Sequence, residues 1–277
     1  MPELERDGWT LSYALSGPVD APPALLLHDL DADRRAWHAL AGDMGDDFRI
    51  VALDLRGFGE SGRPPEAAAP SMRDYADDVV ALLDALAIER CAVIGAGFGA
   101  EVALEIAAGD PSRTQMLVLS GASPSPDHPA YDDHLRGREQ ERGALGRAAA
   151  RFGSRRAAAI AAEPFRDAGV REAIRARYRH FDAEGFAEAV AARAAREDAL
   201  PRLASLSVPV LVVTGEGDPL RSAAELLART LPAARLVTIP GCGAGAPFVA
   251  PRAFEAALGS FFGDVRAGHP IATEAPA

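Results

Sequence analysis

The residue whose position says most about chemistry is a glycine. Gly97 lies in Gly95-Ala-Gly-Phe-Gly99, between an apolar segment typical of a short strand and a segment typical of a helix. A serine in this strand–turn–helix context is held in a strained turn that exposes its hydroxyl for attack on a carbonyl carbon. Glycine adopts the positive φ of such a turn without steric cost. The turn is therefore predicted to form, but it carries no nucleophile.

Apolar runs of strand length alternate along the chain with amphipathic helical patterns. This alternation indicates parallel βαβ units and an α/β fold with a mostly parallel, doubly wound sheet. The predicted strands are 24–30, 49–55, 91–95, 115–120, 210–214 and 235–239, and the predicted helices are 34–44, 75–86, 101–108, 222–230 and 252–262.

Residues 124–204 interrupt this alternation. The segment is rich in Ala, Arg and Glu, poor in β-branched residues and broken by Gly and Pro, which predicts an all-helical insertion. An insertion at the carboxyl ends of parallel strands lies over the crevice where ligands bind, so we expect a lid. The predicted organisation is a core formed by 1–123 and 205–263, a lid formed by 124–204 and a flexible tail at 264–277.

The composition argues against several classes of function. The 277 residues are 48% hydrophobic and carry a net charge of −11, which disfavours nucleic acid or an anionic membrane as the main partner. All 29 basic residues are arginine, so Schiff-base catalysis by lysine and a P-loop lysine are excluded. Cys91 and Cys242 do not make a disulfide framework, and residues 1–7 lack the apolar run of a signal peptide. We therefore expect a cytoplasmic protein.

Four further motifs, in order along the chain, are similar to those of one family. They are Leu25-Leu-Leu-His28 with Trp37 nine residues later, Asp54-Leu-Arg-Gly-Phe-Gly-Glu-Ser-Gly-Arg-Pro64, Val213-Thr-Gly-Glu-Gly-Asp218-Pro219, and Ile239-Pro-Gly-Cys-Gly243. With the turn at Gly97, they make the chain resemble the α/β-hydrolase superfamily, in its lidded epoxide-hydrolase, haloperoxidase and small-ester-hydrolase branch. The resemblance implies the α/β-hydrolase fold with an inserted helical lid.

Function does not follow from this resemblance, because several catalytic positions of the family are changed. The family's mechanism uses a nucleophile, a histidine that takes its proton, a carboxylate that orients the histidine, and amide donors for the oxyanion. The resemblance places Gly97 at the nucleophile position and Ala244 at the histidine position, and it leaves only Asp218 of the triad. It also places Asp29 where a glycine normally stands, beside the expected oxyanion pocket. Losing such a unit costs about 10⁶ in turnover, so ester hydrolysis is not expected.

Two carboxylates remain as candidate catalytic groups. Without an imidazolium partner, a buried Asp218 should have a raised pKa and could act as a general acid or base; the alternative is that it caps the following helix. Asp29 could do the same work from the opposite wall, or it is a solvated turn residue. His28 is expected to brace the loop beneath the pocket, and Glu101 is expected to point away from the site.

Aromatic and imidazole side chains of the lid are a second group of candidates. His128 could provide a replacement acid–base group where the chain enters the lid, and Tyr131 and His134 beside it could contact the ligand. Tyr178 and His180, on a later predicted lid helix, are candidates for the same roles. For all five residues, the alternative is an ordinary lid surface.

The small residues Gly97 and Ala244 should leave an enlarged, mostly apolar cavity under the lid, with Leu30 and Phe98 on its walls. Such a cavity suits a neutral, hydrophobic small molecule. One hypothesis is a non-hydrolytic cyclase, lyase, dehydratase or isomerase of specialised metabolism, in which one of the two carboxylates moves a proton. The alternative is a non-catalytic small-molecule binding protein or a pseudoenzyme partner. No cofactor and no metal are expected, and the sequence leaves a homodimer open.

Overall fold

The chain is organised around one eight-stranded sheet. The computed structural model describes residues 2–64, 69–163, 168–169, 171–172, 175 and 182–271. The strand order is β1-β2-β4-β3-β5-β6-β7-β8, with β1 Glu3–Arg6, β2 Trp9–Ser16, β3 Pro23–Leu27, β4 Arg49–Leu53, β5 Cys91–Ala96, β6 Thr114–Ser120, β7 Val210–Gly215 and β8 Ala234–Ile239. The pairs that involve β1 or β2 are antiparallel, and all the other pairs are parallel. The predicted α/β class is confirmed.

The helices with described bounds follow the strands in the predicted alternation. They are α1 His38–Met44, α2 Met72–Ala85, α3 Phe98–Gly109, α4 Asp133–Phe152, α5 Ser154–Ala162, α6 Ala183–Ala195, α7 Leu200–Leu203, α8 Arg221–Thr230, α9 Ala246–Val249 and α10 Pro251–Ala267, with short 3₁₀ turns at Arg34–Trp37 and Pro111–Arg113. Successive residues of β3 belong to two different apolar clusters, since Leu25 and Leu27 pack with α2 and α3, whereas Ala24 and Leu26 pack with α1 and α10. The sheet is therefore buried on both faces, as a parallel sheet requires.

An N-terminal hairpin precedes the first predicted strand. β1 and β2 are joined by Asp7 and Gly8, which have φ of 38° and 87°. An Asp-Gly pair with both φ values positive is a favoured two-residue hairpin turn. This local signal was sufficient to predict the hairpin, although the alternation of strands and helices did not include it.

Two boundaries differ from the prediction in a way that shapes the site. The predicted strand 24–30 ends at Leu27, so residues 28–30 leave the sheet and form a loop. The helix predicted from residue 101 begins at Phe98, directly after Gly97. A Cβ atom on Gly99 would lie 2.3 Å from the carbonyl oxygen of Leu27, so α3 packs against the end of β3 at backbone distance. The loop at 28–30 is thereby brought onto the turn at Gly97.

Several ion pairs join the lid to the core in the described part of the chain, and one group of them involves Arg63. Its guanidinium donates to Asp182 and Glu184 at 2.7 Å each and to Glu188 at 3.0 Å. These acceptors lie at and within the first turns of α6.

A second group forms a buried cluster at α3. Arg193 of α6 donates to the two carboxylate oxygens of Glu101 at 2.6 and 2.8 Å and also pairs with Glu139 of α4. Glu101 points into this cluster, as expected of a residue that faces away from the turn at Gly97, and its buried carboxylate balances the buried guanidinium of a lid helix.

The predicted start of a flexible tail at residue 264 is wrong, and residues 272–277 of that prediction lie outside the described residues. Helix α10 continues to Ala267 and ends at Gly268, which has a left-handed φ of 70°. The chain stays helical because Phe261 and Phe262 pack in the core and Asp264 pairs with Arg235. None of the helices in the described part of the chain is long and apolar enough to cross a membrane.

Candidate active site

The turn between β5 and α3 has the geometry that the sequence predicts. Gly97 has φ 52° and ψ −118°, a region that L side chains rarely adopt. Its amide donates to the carbonyl of Ser120 at 2.8 Å, and its carbonyl accepts from Ala100 and Glu101 in the first turn of α3. The turn is thus held by β6 on one side and by α3 on the other.

The carboxylate of Asp29 fills the space above this turn. Its Oδ1 accepts hydrogen bonds from the amide of Leu30 at 2.7 Å and from the amide of Phe98 at 2.9 Å. A Cβ atom built on Gly97 would lie only 2.0 Å from Asp29 Cγ. In a strand–turn–helix site for acyl transfer, an amide after the nucleophile and one from the loop after β3 bind the oxyanion. The Asp29 carboxylate therefore fills the volume that a nucleophile side chain would take. It also accepts the hydrogen bonds of both amides that would bind the oxyanion.

Asp29 is held in its ionised form. Burial disfavours the charge, but Arg142 of α4 and the two amide donors outweigh the burial, so the pKa of Asp29 lies below its ordinary value. The closest guanidinium nitrogen, Nη2 of Arg142, lies 3.4 Å from Asp29 Oδ2. Both carboxylate oxygens of Asp29 are therefore engaged by donors or by positive charge. The alternative that Asp29 is a solvated turn residue does not hold.

Asp218 has a different environment in the turn after β7. Its side chain is buried, and its Oδ1 accepts from the amide of Leu220 at 2.9 Å. Its Oδ2 is also buried and accepts no hydrogen bond within the described part of the chain. Burial raises the pKa of Asp218, and the negative charge of Asp29 adds to the rise. The N-cap of α8 is Leu220 and has no side-chain cap, so Asp218 holds the turn before the helix with one oxygen and keeps the other buried without a donor among the described residues.

A cavity of about 160 Å³ joins these groups. Five of the described residues that line it are charged: Asp29, Asp31, Arg138, Arg142 and Asp218. The other described lining residues are small or apolar: Ala96, Gly97, Ser120, Gly121, Leu220, Ala244, Gly245, Phe248 and Val249. Gly97 and Ala244 lie in the lining as predicted, but the cavity is small and contains more charge than the sequence suggested.

Leu30 and Phe98 do not line this cavity. Both are about 1% exposed and belong to the apolar cluster beneath the loop. The ring of Phe98 packs edge-on against Tyr75, with centroids 4.9 Å apart. Only the amides of these two residues face Asp29, because their side chains lie in the core. The prediction that they form the cavity wall is therefore wrong.

Arg138 and Arg142 were missed by the sequence analysis. They are four residues apart on α4, so their side chains lie on the same face of that helix. The spacing was visible in the sequence, but α4 carries other arginines, and nothing local shows which of them faces the core.

The lid candidates lie away from the cavity lining. Tyr131 is buried among Leu135, Leu220 and Ala223, and its hydroxyl donates to the carbonyl of Ser125 at 3.1 Å. The ring of His128 lies against that of Tyr131, and His134 is exposed. Neither histidine is brought to Asp29 or Asp218. Tyr178 and His180 lie outside the described residues.

His28 has the structural role that the sequence predicts. Its Nε2 accepts from the amide of Leu55 at 3.1 Å, so Nδ1 carries the proton and donates to the carbonyl of Asp29 at 2.8 Å. Burial lowers the pKa of this imidazole, which favours the neutral form.

Burial raises the pKa of the Cys242 thiol, which therefore lacks thiolate character. Among the described residues, no histidine lines the cavity.

Comparison with known proteins gives a consistent family. Residues 22–251 match the model of the family described as alpha/beta hydrolase fold. The chain is 36% identical over 120 residues to a putative carbamate hydrolase RutD of Variovorax paradoxus, covering 42% of this chain and 44% of that protein. It is 25% identical over 214 residues to 3-oxoadipate enol-lactonase 1 of Acinetobacter baylyi, covering 77% and 78%. The match to the first of these relatives thus spans less than half of its length.

Solved structures match over nearly the whole chain. A hydrolase from Pseudomonas aeruginosa has a TM-score of 0.79 and 29% identity, covering 95% of this chain and 98% of that one. A thermophilic esterase from Thermogutta terrifontis has a TM-score of 0.78 and 29% identity, covering 93% and 94%.

Proposed function

We propose that this chain, which belongs to the α/β-hydrolase family, is a non-hydrolytic enzyme that transfers protons on a small molecule, as a cyclase, lyase, dehydratase or isomerase. The observation that carries this proposal is the position of the Asp29 carboxylate. It occupies the site of a nucleophile and both oxyanion donors, while Asp218 keeps a buried oxygen available beside the same cavity.

Hydrolysis by the route of the named relatives would need groups that this site does not provide. Gly97 has no side chain to attack a carbonyl, and Ala244 cannot accept a proton. An oxyanion that entered the hole would have to displace the carboxylate of Asp29. Asp29 itself is a poor nucleophile, because both of its oxygens are engaged and its charge is stabilised by Arg142.

The two carboxyl groups divide acid–base work between them. When environments push the pKa values of neighbouring carboxyl groups apart, the group with the raised pKa exchanges protons and the other remains charged. Asp218 is the proton carrier in this proposal, because a pKa nearer to neutral pH makes a carboxyl group more effective in proton transfer. Asp29 is the fixed charge, and its negative charge contributes to the raised pKa of Asp218.

Positioning supplies the rest of the rate enhancement. Holding a reactive substrate in a productive geometry lowers the barrier by about 7–11 kcal/mol in the best cases, without a nucleophile. The lid is joined to the core by Arg63 and Arg193, which is consistent with a fixed cavity shape. The apolar residues Phe248 and Val249 at the cavity fit the proposed hydrophobic part of a ligand from specialised metabolism.

The test incubates a metabolite mixture with the wild-type protein or with Asp218→Asn and follows the conversion of metabolites by mass spectrometry. We expect a substrate–product pair that changes without addition of water, and a loss of about 10²–10⁴-fold in rate for Asp218→Asn. Asp20→Asn, at an exposed position, is the control and should keep full activity. Turnover of 4-nitrophenyl acetate at ordinary esterase rates would overturn the proposal.

A small-molecule binding protein is the second candidate function. It is favoured by the pairing of Asp29 with Arg142 and of Asp218 Oδ1 with the Leu220 amide, since both carboxyl groups then also serve structural roles. The same experiment separates the two functions. A compound that is retained by the protein but leaves unchanged, equally with Asp218→Asn, would support binding alone.

A further inference from the structure

The charged lining of the cavity restricts the charge of the ligand. Among the described lining residues, Arg138 and Arg142 each carry one positive charge, and Asp29 and Asp31 each carry one negative charge. The fifth charged residue, Asp218, adds a further negative charge when it is ionised. A neutral ligand leaves the charge of the site unchanged, whereas an anion would add a negative charge beside Asp29 and ionised Asp218 in a partly buried site.

The size of the cavity restricts the ligand further. A cavity of about 150 Å³ holds benzene, and this one is about 160 Å³. One six-membered ring with a few substituent atoms fills such a space. The substrate portion that enters the cavity is therefore of ring size rather than polycyclic.

The guanidinium groups indicate which functional group the ligand carries. Arg138 and Arg142 lie on one face of α4 and both line the cavity. Arg142 already contacts a carboxylate oxygen there, with Nη2 3.4 Å from Asp29 Oδ2. A guanidinium has five N–H donors, so it can serve a ligand oxygen in addition to a protein carboxylate. The amide donors of the turn are already taken by Asp29, so a carbonyl oxygen of a neutral ligand would accept from the guanidinium groups and not from the amides.

We infer, on the basis of the proposed function, that the substrate is a neutral, ring-sized ketone or aldehyde with an acidic α-hydrogen. Its carbonyl oxygen accepts hydrogen bonds from Arg138 and Arg142, and its α-carbon faces Oδ2 of Asp218. The inference adds to the proposed function a substrate class and a role for two arginines that bind the oxygen on which negative charge develops.

The reaction begins with removal of an α-proton from the ketone or aldehyde by Asp218. Ionised Asp218 takes the α-proton on Oδ2, the C–H electron pair forms a C=C bond, and the carbonyl π electrons move onto oxygen beside the arginines. The negative charge thus moves from Asp218 to the enolate oxygen, and the total charge of the site is unchanged. If the ketone has a β,γ C=C bond, the enolate extends to the γ-carbon, and return of the proton there with re-formation of the carbonyl gives the conjugated isomer. Return of the proton to a β-hydroxyl, with re-formation of the carbonyl, releases water and gives a dehydrated product.

The test uses cyclohexanone as a probe and follows its α-hydrogens by proton NMR in deuterated water. We expect the wild-type protein to accelerate exchange of these hydrogens, and Asp218→Asn to abolish the acceleration. Arg138→Gln and Arg142→Gln should each slow it by about 10- to 100-fold, the effect of losing one hydrogen bond from a charged donor. Arg136→Gln is the matched control, because Arg136 lies on the same helix and pairs with Asp127 and Asp133 outside the cavity.

A second measurement is independent of turnover. 4-Nitrophenol has the size of the cavity, and its phenolate resembles an enolate, so its absorption spectrum reports binding of the charged form. We expect the phenolate to bind to Asp218→Asn, in which the proton carrier is uncharged, and its affinity to fall by about 10-fold or more in each arginine variant. Circular dichroism of each variant shows that the fold is intact.

The outcomes separate the inference from the proposed function. Exchange that depends on Asp218 but not on Arg138 or Arg142 leaves the proposed function standing and overturns the role of the arginines. Phenolate binding that depends on the arginines, without any exchange, supports their role and removes the catalytic proposal. The absence of both exchange and binding overturns the inferred substrate class.

Discussion

Two loops, one after β3 and one after β7, each bring an aspartate to the same cavity, and the two aspartates have opposite environments. Asp29 receives two amide hydrogen bonds on one oxygen and faces Arg142 with the other. Asp218 receives one amide hydrogen bond and keeps its second oxygen buried without a donor among the described residues. The pKa of Asp29 is lowered and that of Asp218 is raised. The comparison shows that local donors and charge, rather than residue type, assign a carboxyl group to a fixed or an exchangeable role.

The largest expected effect concerns the occupied oxyanion hole. The variant Gly97→Ser/Ala244→His restores two groups of the family's triad, but it should remain inactive towards 4-nitrophenyl acetate, because the new side chain at 97 clashes with Asp29. Adding Asp29→Gly should increase hydrolysis by at least about 10²-fold, since it frees the volume and both amide donors. Adding Asp31→Gly instead is the control and should have no such effect. Activity of the double variant that Asp29→Gly does not improve would show that Asp29 does not block the site.

A smaller effect distinguishes the two aspartates by stability. Asp29→Asn should destabilise the protein by about 1–3 kcal/mol at neutral pH, because it removes the charged partner of Arg142. Asp218→Asn should stabilise it there, because a carboxyl group with a raised pKa costs stability when it ionises in the folded state. Thermal unfolding at neutral pH measures both changes.

The two aspartates also differ in how their contributions to stability depend on pH. The stabilisation from Asp29, whose folded pKa is lowered, is present above its unfolded pKa and is lost as the pH falls through the folded pKa. The destabilisation from Asp218 grows as the pH rises from its unfolded pKa through its raised folded pKa. Both variant effects should therefore shrink in acid. Destabilisation of the same size and sign in both variants would remove the distinction between them.

The smallest expected effect is a shift of pKa values in Arg142→Gln. Arg142 is the main charge that lowers the pKa of Asp29, whereas for Asp218 its lowering effect is smaller than that of Arg138. Its removal should therefore raise both pKa values, with the larger rise at Asp29. Carbon-13 NMR titration of labelled aspartate carboxyl groups measures the shifts, and Arg136→Gln is again the control. A larger rise at Asp218 than at Asp29 would contradict the assigned contacts.

Much of the fold was predictable because its signals are local. The alternation of apolar runs and amphipathic segments gave the parallel strands and most of the core helices, with ends displaced by a few residues. The largest displacement in a helix was in α10, where the predicted end at 262 missed the turn that carries Asp264 and its ion pair with Arg235. The pairing depends on a strand distant in the sequence, so no local pattern could reveal it.

The candidate site was predictable only in its parts. The sequence indicated Gly97, Ala244, Asp29 and Asp218 as the residues that matter, and all four line the cavity. Leu30 and Phe98 were assigned to the wall because they flank the turn, but their side chains follow the apolar side of the loop and helix into the core.

By itself, the amino-acid sequence determined the α/β-hydrolase fold, through its pattern of apolar residues, and it determined that no nucleophile stands at position 97. Only the tertiary structure decided that Asp29 fills the turn and that Arg142 stabilises its charge. The contacts that decide this join Asp29 to residues 69 and 113 positions away. A side chain takes its direction from the surfaces that folding brings around it, and those surfaces are assembled from segments that a linear pattern does not connect.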